Sequence, residues 1–180
     1  KGMGKAIALG LAQAGCRVAV SARGEAALKA TADEMRAATG AEVVALPGDM
    51  SRLEDIERVV QGTKEALGPI DILICNAGGP PPGKFADFGE TEWRAALDQN
   101  LMSVVRLCRL VIPDMQAQRW GRILTITSLT VKQPSPTLVL SNVARAGVTA
   151  LVKSLATEFG PDGILVNNLL PGSFDTDRLR

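Results

Sequence analysis

Short, continuous apolar runs alternate with helical segments along this chain, and that alternation is its strongest constraint. The runs are Arg17 to Ser21, Val43 to Leu46, Ile70 to Cys75, Arg122 to Thr127 and Ile164 to Asn167. Such runs read as strands buried on both faces, because a strand with one wet face alternates apolar and polar residues. Between them lie segments of helical period, predicted over 2–15, 25–38, 52–67, 91–118 and 138–159. Apolar residues at Ile56, Val59, Val60, Thr63 and Leu67 follow the spacing of one helix face. A second stripe is Val148, Leu151, Val152, Leu155 and Phe159, and a third is expected at Ile7, Gly10, Leu11 and Ala14. Pro-rich stretches at 78–90 and 129–137 read as loops. Strands joined through helices imply an α/β fold, a doubly wound parallel sheet covered on both faces.

Composition narrows the function classes. A net charge of +1 over 180 residues gives no basic field for nucleic acid. The apolar runs are far shorter than a membrane span. Cys16, Cys75 and Cys108 are odd in number and widely spaced, so they read as free thiols in a reducing compartment, the cytoplasm. The chain has no histidine, and scattered cysteines give no transition-metal site. It also has no tyrosine, which removes another common acid–base group. With no initiator Met and no strand before the first glycines, the chain reads as one dinucleotide-binding domain (1–180) whose first strand and C-terminal lid lie outside it.

Gly2 and Gly4 open the first helix beside Lys1. A helix start offers unpaired N–H groups and partial positive charge to a phosphate, and glycine lets the backbone come close. After the first apolar run comes Ser21-Ala22-Arg23, with no acid between Val18 and Gly24. An acid there would grip ribose hydroxyls, whereas an arginine accommodates a 2′-phosphate, so Lys1 and Arg23 point to NADP(H) over NAD(H). Asp49-Met50 stands where an adenine edge would lie; Asp49 either accepts from the adenine amino group or is an ordinary turn aspartate.

At Asn76-Ala77-Gly78 the sequence resembles the short-chain dehydrogenase/reductase family, including its 3-oxoacyl-[acyl-carrier-protein] reductase-like oxidoreductases. Lys1 to Gly4 resembles the latter part of the family's Thr-Gly-x-x-x-Gly-x-Gly turn. Asn100 fits the helix asparagine of its catalytic tetrad, Ser128 the catalytic serine, and Pro171-Gly172 with Thr176 the turn that cradles the nicotinamide amide. The resemblance implies a Rossmann-type fold and hydride transfer between a nicotinamide cofactor and a carbonyl or alcohol substrate. It also implies a homo-oligomer, most simply a tetramer, paired through the helices at 91–118 and 138–159. Leu110, Ile112 and Val139 are expected as apolar surface there.

The chain departs from the family at its Tyr-x-x-x-Lys pair, where Ser141 and Arg145 stand. The spacing is kept, so both side chains share one helix face. A serine hydroxyl is a far weaker acid than a phenol, and an arginine cannot relay a proton. Lys132, in the loop after Ser128, is the nearest substitute donor, or else a solvated loop lysine. Three readings follow: a weak or atypical NADP(H)-dependent oxidoreductase, a non-catalytic cofactor- or ligand-binding protein of the same fold, or a structural subunit of a mixed oligomer. Under the first two, fluorescence titration is expected to show NADPH bound more tightly than NADH, with Arg23→Asp shifting the preference toward NADH. Equal or reversed dissociation constants in the parent protein would refute the assignment of Arg23.

Overall fold

The computed structural model describes residues 2–172 and residue 174. Every apolar run forms a strand, β4 beginning before its run and β5 continuing past its own: β1 Val18–Val20, β2 Val43–Ala45, β3 Ile72–Cys75, β4 Gly121–Ile126 and β5 Ile164–Leu169. All the ladders are parallel, and they form two sheets, β1-β2 and β3-β4-β5. Parallel neighbours need a crossover, and helices supply it. The helices are α1 Gly2–Gln13, α2 Glu25–Thr39, α3 Leu53–Leu67, α4 Glu90–Leu97, α5 Ser103–Gln118 and α6 Val139–Phe159.

Two apolar clusters hold these layers. In the larger, Ile56 of α3, Val111 and Met115 of α5, and Val148 of α6 close over Ile123 and Ile164, each at most 1% exposed. In the smaller, Ala8 and Ala12 of α1 and Ala32 and Met35 of α2 pack on Val18 and Val43. The stripes expected on α3 and α6 are the ones that face inward, with Ile56, Val59, Val60 and Leu67 buried on α3 and Val148 and Val152 on α6.

Three expectations are corrected. The inward face of α1 is Ala8 and Ala12, not the stripe containing Ile7 and Leu11, which are half-buried, and Gly10 and Ala14, which are exposed. Small residues let the helix backbone come down onto its neighbours, and the larger side chains fall to the flanks. The helix expected over 91–118 is broken in period by a π turn, Asp98–Met102. The wider turn slips the phase, so Ala96, Asn100, Ser103 and Val104 point inward, with Leu97 and Leu101 beside them half-buried. Finally, Ile112 is a core residue, not apolar surface, and Leu110 packs against the same core.

At the amino end of β5 the chain turns through Gly163 with φ of 78°. A Cβ placed there would collide with the carbonyl oxygen of Arg119, the left-handed residue that ends α5. Both the conformation and the close approach require glycine. Gly163→Ala is therefore expected to lower the unfolding free energy by about 1–3 kcal/mol or more in urea titration, as forced left-handed backbone does. NADPH affinity should be unchanged, because the ligand edge of the sheet is at the opposite strand end.

Candidate active site

The parallel ladders bring the carboxyl ends of β3, β4 and β5 to one edge, where ligands sit in open α/β sheets. Pairing continues past the strands. Thr127 donates its N–H to Leu169 O at 2.9 Å, and Leu129 donates to Pro171 O at 3.0 Å. Ser128 is thereby held beside the Pro171-Gly172 turn. Its Oγ accepts from the N–H of Thr130 at 3.2 Å and from the Thr130 hydroxyl at 3.1 Å, capping the short 3₁₀ turn Leu129–Val131. With two lone pairs taken, the hydroxyl has its own hydrogen left to donate.

Ser141 and Arg145 lie one turn apart on α6, and both are buried. Arg145 Nε donates to Ser141 Oγ at 3.2 Å. Nη1 donates to the carbonyls of Ile126 at 2.9 Å and Thr127 at 3.1 Å, and Nη2 donates to Ala77 O at 3.3 Å. One planar cation thus joins α6, the end of β4 and the loop after β3. An ammonium has no fork with which to span them. The guanidinium keeps its charge at any working pH, so the edge contains a fixed cation bonded to the Ser141 hydroxyl.

Asn100 sits inside the π turn, buried, with Nδ2 donating to Ala96 O at 3.2 Å. Its Oδ1 is buried without a hydrogen-bond partner among the described residues. The adjacent Gln99 donates to Gly78 O at 3.3 Å, tying the π turn to the loop after β3. Gln99 carried no motif signal, since only the extra residue of the π turn aims it there. Asn168, behind the end of β4, was likewise not singled out from the sequence.

At the opposite part of this edge, Gly2 opens α1 with φ of 60°, and nothing lies within 4 Å of the position its Cβ would take. A Cβ on Gly4 would stand 2.8 Å from Asn76 Nδ2. The glycine turn and the Asn76-Ala77-Gly78 loop are therefore pressed together, as the two sides of one cradle. Arg23 is exposed just beyond β1, close enough to Asp49 to act electrostatically on its carboxylate. Asp49 Oδ1 accepts from the Ser51 N–H at 2.9 Å and the Ser51 hydroxyl at 2.8 Å. These bonds, led by the backbone one and aided by Arg23, hold its carboxyl below the usual carboxylate range despite some burial. It shapes the turn into α3, and Met50 packs against the core. Lys1 and Thr176 lie outside the described residues.

The thiols take no part in this edge. Burial pushes Cys75 up and Cys108 up to about 12, so neither forms a thiolate near neutral pH. Among the described residues no cluster of His, Cys, Asp or Glu could hold a metal ion, and no helix is long and apolar enough to cross a membrane.

Comparison with known proteins gives concordant results. The model of the short chain dehydrogenase family matches residues 1–180. A 3-oxoacyl-[acyl-carrier-protein] reductase of Synechocystis is 32% identical over 178 residues, covering 98% of this chain and 72% of that protein. A 7alpha-hydroxysteroid dehydrogenase of Escherichia coli is 32% identical, covering 99% of this chain and 69% of its own length. The crystal structure of L-sorbose reductase from Gluconobacter frateurii, complexed with NADPH and L-sorbose, superimposes with a TM-score of 0.90 at 30% identity. It covers 93% of this chain, which spans 64% of the sorbose reductase chain.

The guanidinium bridge leads to a stability prediction. Arg145→Leu leaves the carbonyls of Ile126, Thr127 and Ala77 without this donor, and each buried acceptor so stranded costs about 1–3 kcal/mol. Urea unfolding should show a loss of at least about 2 kcal/mol on that basis, and Arg145→Lys a smaller one. An unchanged midpoint in Arg145→Leu would show that the bridge contributes nothing to the fold.

Proposed function

The chain belongs to the short-chain dehydrogenase/reductase family, and on that premise we propose that it is an NADP(H)-dependent oxidoreductase of a carbonyl or alcohol substrate. The observation that carries this reading is the buried Arg145, bonded to Ser141 Oγ and to the carbonyl of Thr127, the residue before Ser128, with a glycine turn pressed on Asn76.

The described residues fit a nicotinamide dinucleotide. Gly2, with open space where a side chain would be, and Gly4 at the start of α1 would receive the pyrophosphate. Arg23 would meet a 2′-phosphate, which supports NADP(H). Asn76, Ala77 and Gly78 would border the cofactor's path, with Pro171-Gly172 at its nicotinamide end, and Asp49 and Met50 near the adenine. When bound, the nicotinamide gives or takes the hydride.

The chain's own residues do the rest. Ser128 and Ser141 donate hydrogen bonds to the carbonyl oxygen, and Arg145, already bonded to Ser141 Oγ, polarises that hydroxyl. A fixed cation and two preset donors favour negative charge on the oxygen as it develops. Asn100 supports the site from the π turn, with its buried Oδ1 left without a partner among the described residues. Neither Ser141 nor Arg145 releases a proton near neutral pH, so the alkoxide takes its proton from water. Loss of a positioned acid costs about 10²–10⁴-fold, and the enzyme is accordingly slow. The total absence of tyrosine also favours a second reading, a protein that binds the cofactor or a ligand without turnover.

The assembly we propose is a homo-oligomer paired across α5 and α6. A groove of about 320 Å³ runs between these helices, walled by Val105, Ile112, Pro113, Leu151, Leu155 and Phe159. The three free thiols fit a cytoplasmic protein. Sedimentation at micromolar concentration should give an oligomer, and a monomer would contradict the assignment of this groove.

The test of the activity is the double variant Ser141→Tyr with Arg145→Lys. It installs a phenol beside an ammonium that lowers its pKa. Carbonyl reduction should rise on the order of 10²-fold, with each single change doing less. Lysine does not reproduce the guanidinium bridge, so the gain should come with lowered stability. A variant that folds, binds NADPH and is no faster than the parent on every ketone and aldehyde tried would favour the binding reading.

A further inference from the structure

Behind the end of β4 lies a hydrogen-bonded circuit that returns to Arg145 from its other side. Thr125 on β4 and Thr127 just after it, both buried, donate their hydroxyls to Asn168 Oδ1 at 2.9 and 2.8 Å. Asn168 Nδ2 donates to Thr149 Oγ1 at 2.8 Å, and Thr149 Oγ1 donates to the backbone carbonyl of Arg145 at 3.0 Å. The Arg145 guanidinium then donates back to β4, at Ile126 O and Thr127 O. The path runs β4, β5, α6 and β4 again, and it holds Arg145 at both its main chain and its side chain. Thr127 is a member and Ser128 is the next residue.

We infer that Asn168 is a positioning residue, whose amide fixes α6 against β4 and so sets Ser128 relative to Ser141 and Arg145. An amide suits this place because it accepts on one end and donates on the other. Its oxygen takes two threonine hydroxyls, and its nitrogen passes a hydrogen on to a third. A leucine of similar size would fill the space, but it would leave Thr125 and Thr127 only their longer contacts to the carbonyls of Asn167 at 3.5 Å and Leu169 at 3.3 Å, and Thr149 without a donor. Buried polar circuits of this kind fix one geometry when every member is paired, and loosen when one is lost. Every bond of the circuit lies between the carboxyl-end residues of β4 and β5 and the Arg145–Thr149 turn of α6. That the loosening slows turnover rests on the carbonyl-reducing reading of the site; that it frees the guanidinium does not.

The experiment uses the full chain and the variants Asn168→Leu and Thr149→Val, with two readouts. The first is exchange of the Arg145 Nε–H with water by ¹⁵N NMR, compared with the backbone N–H of Ile123 in the core. Exchange at Arg145 should speed by about tenfold or more in either variant, as local opening does, with Ile123 unchanged. The second is kinetics with NADPH and the fastest substrate of a ketone and aldehyde panel. Here kcat should fall on the order of tenfold or more, the range that small misplacement of a reacting group costs, while the NADPH dissociation constant stays within about twofold. The two changes combined should be no worse than the worse single one, because they open the same circuit. Unaltered exchange at Arg145 in both variants would overturn the inference, as would equal acceleration at Ile123, which would mark general destabilisation. If the parent protein reduces nothing on the panel, the carbonyl-reducing reading fails, and the exchange measurement still decides the circuit.

Discussion

One buried guanidinium joins α6 to the end of β4 and to the loop after β3, and the carbonyl side of the ligand edge depends on it. The carboxyl end of a parallel sheet exposes carbonyls that run out of strand partners, and they must be satisfied where the edge is covered. Arg145 meets that need for Ile126, Thr127 and Ala77 together, and its Nε reaches Ser141 as well. Five donors in a rigid plane make this possible. The same interaction that closes the sheet's edge therefore sets the charge of the site. It also fixes what the site cannot do, because a group that never gives up its proton cannot shuttle one.

The cofactor side follows a different constraint, which is close approach. Gly4 has no room for a side chain against Asn76, whereas Gly2 faces open space. Backbone groups at the start of α1 are left bare for a phosphate to approach. Asp49 is turned to Ser51 and builds the entry to α3. Arg23 is left exposed just beyond β1, and its charge helps to hold the Asp49 carboxyl below the usual range.

Much of this was legible in the sequence because it is written in local pattern. The β3 and β4 runs are strongly apolar, and the α3 stripe has the period of a helix over the whole of Ile56 to Leu67. The carboxyl-edge motifs follow their strands directly, so placing the strands places Asn76, Ser128 and Pro171. What was not legible depends on phase or on distance in the chain. A π turn adds one residue, and no apolar count separates it from an α turn; hence the reach of Gln99 to the loop after β3 carries no sequence signal. Ile112 looked like surplus apolar surface, yet the shifted phase carries it into the core. The inward face of α1 consists of alanines, which hydrophobic patterning underweights against Ile7 and Leu11. For Arg145, spacing gives a helix face but not which carbonyls its side chain meets. Asn168 needs β5 registered on β4 before its threonine partners come into view.

The central claim is that this family member works its site with a fixed cation and no side-chain acid. The direct test is the pH dependence of kcat for carbonyl reduction at saturating NADPH, since kcat reports the ionisations of the bound complex. With serine, arginine and water at the site, the profile should be flat between about pH 7 and about pH 9, because no side chain there titrates in that interval. A fall in rate through a single apparent pKa inside it would identify a side-chain proton donor and contradict the account.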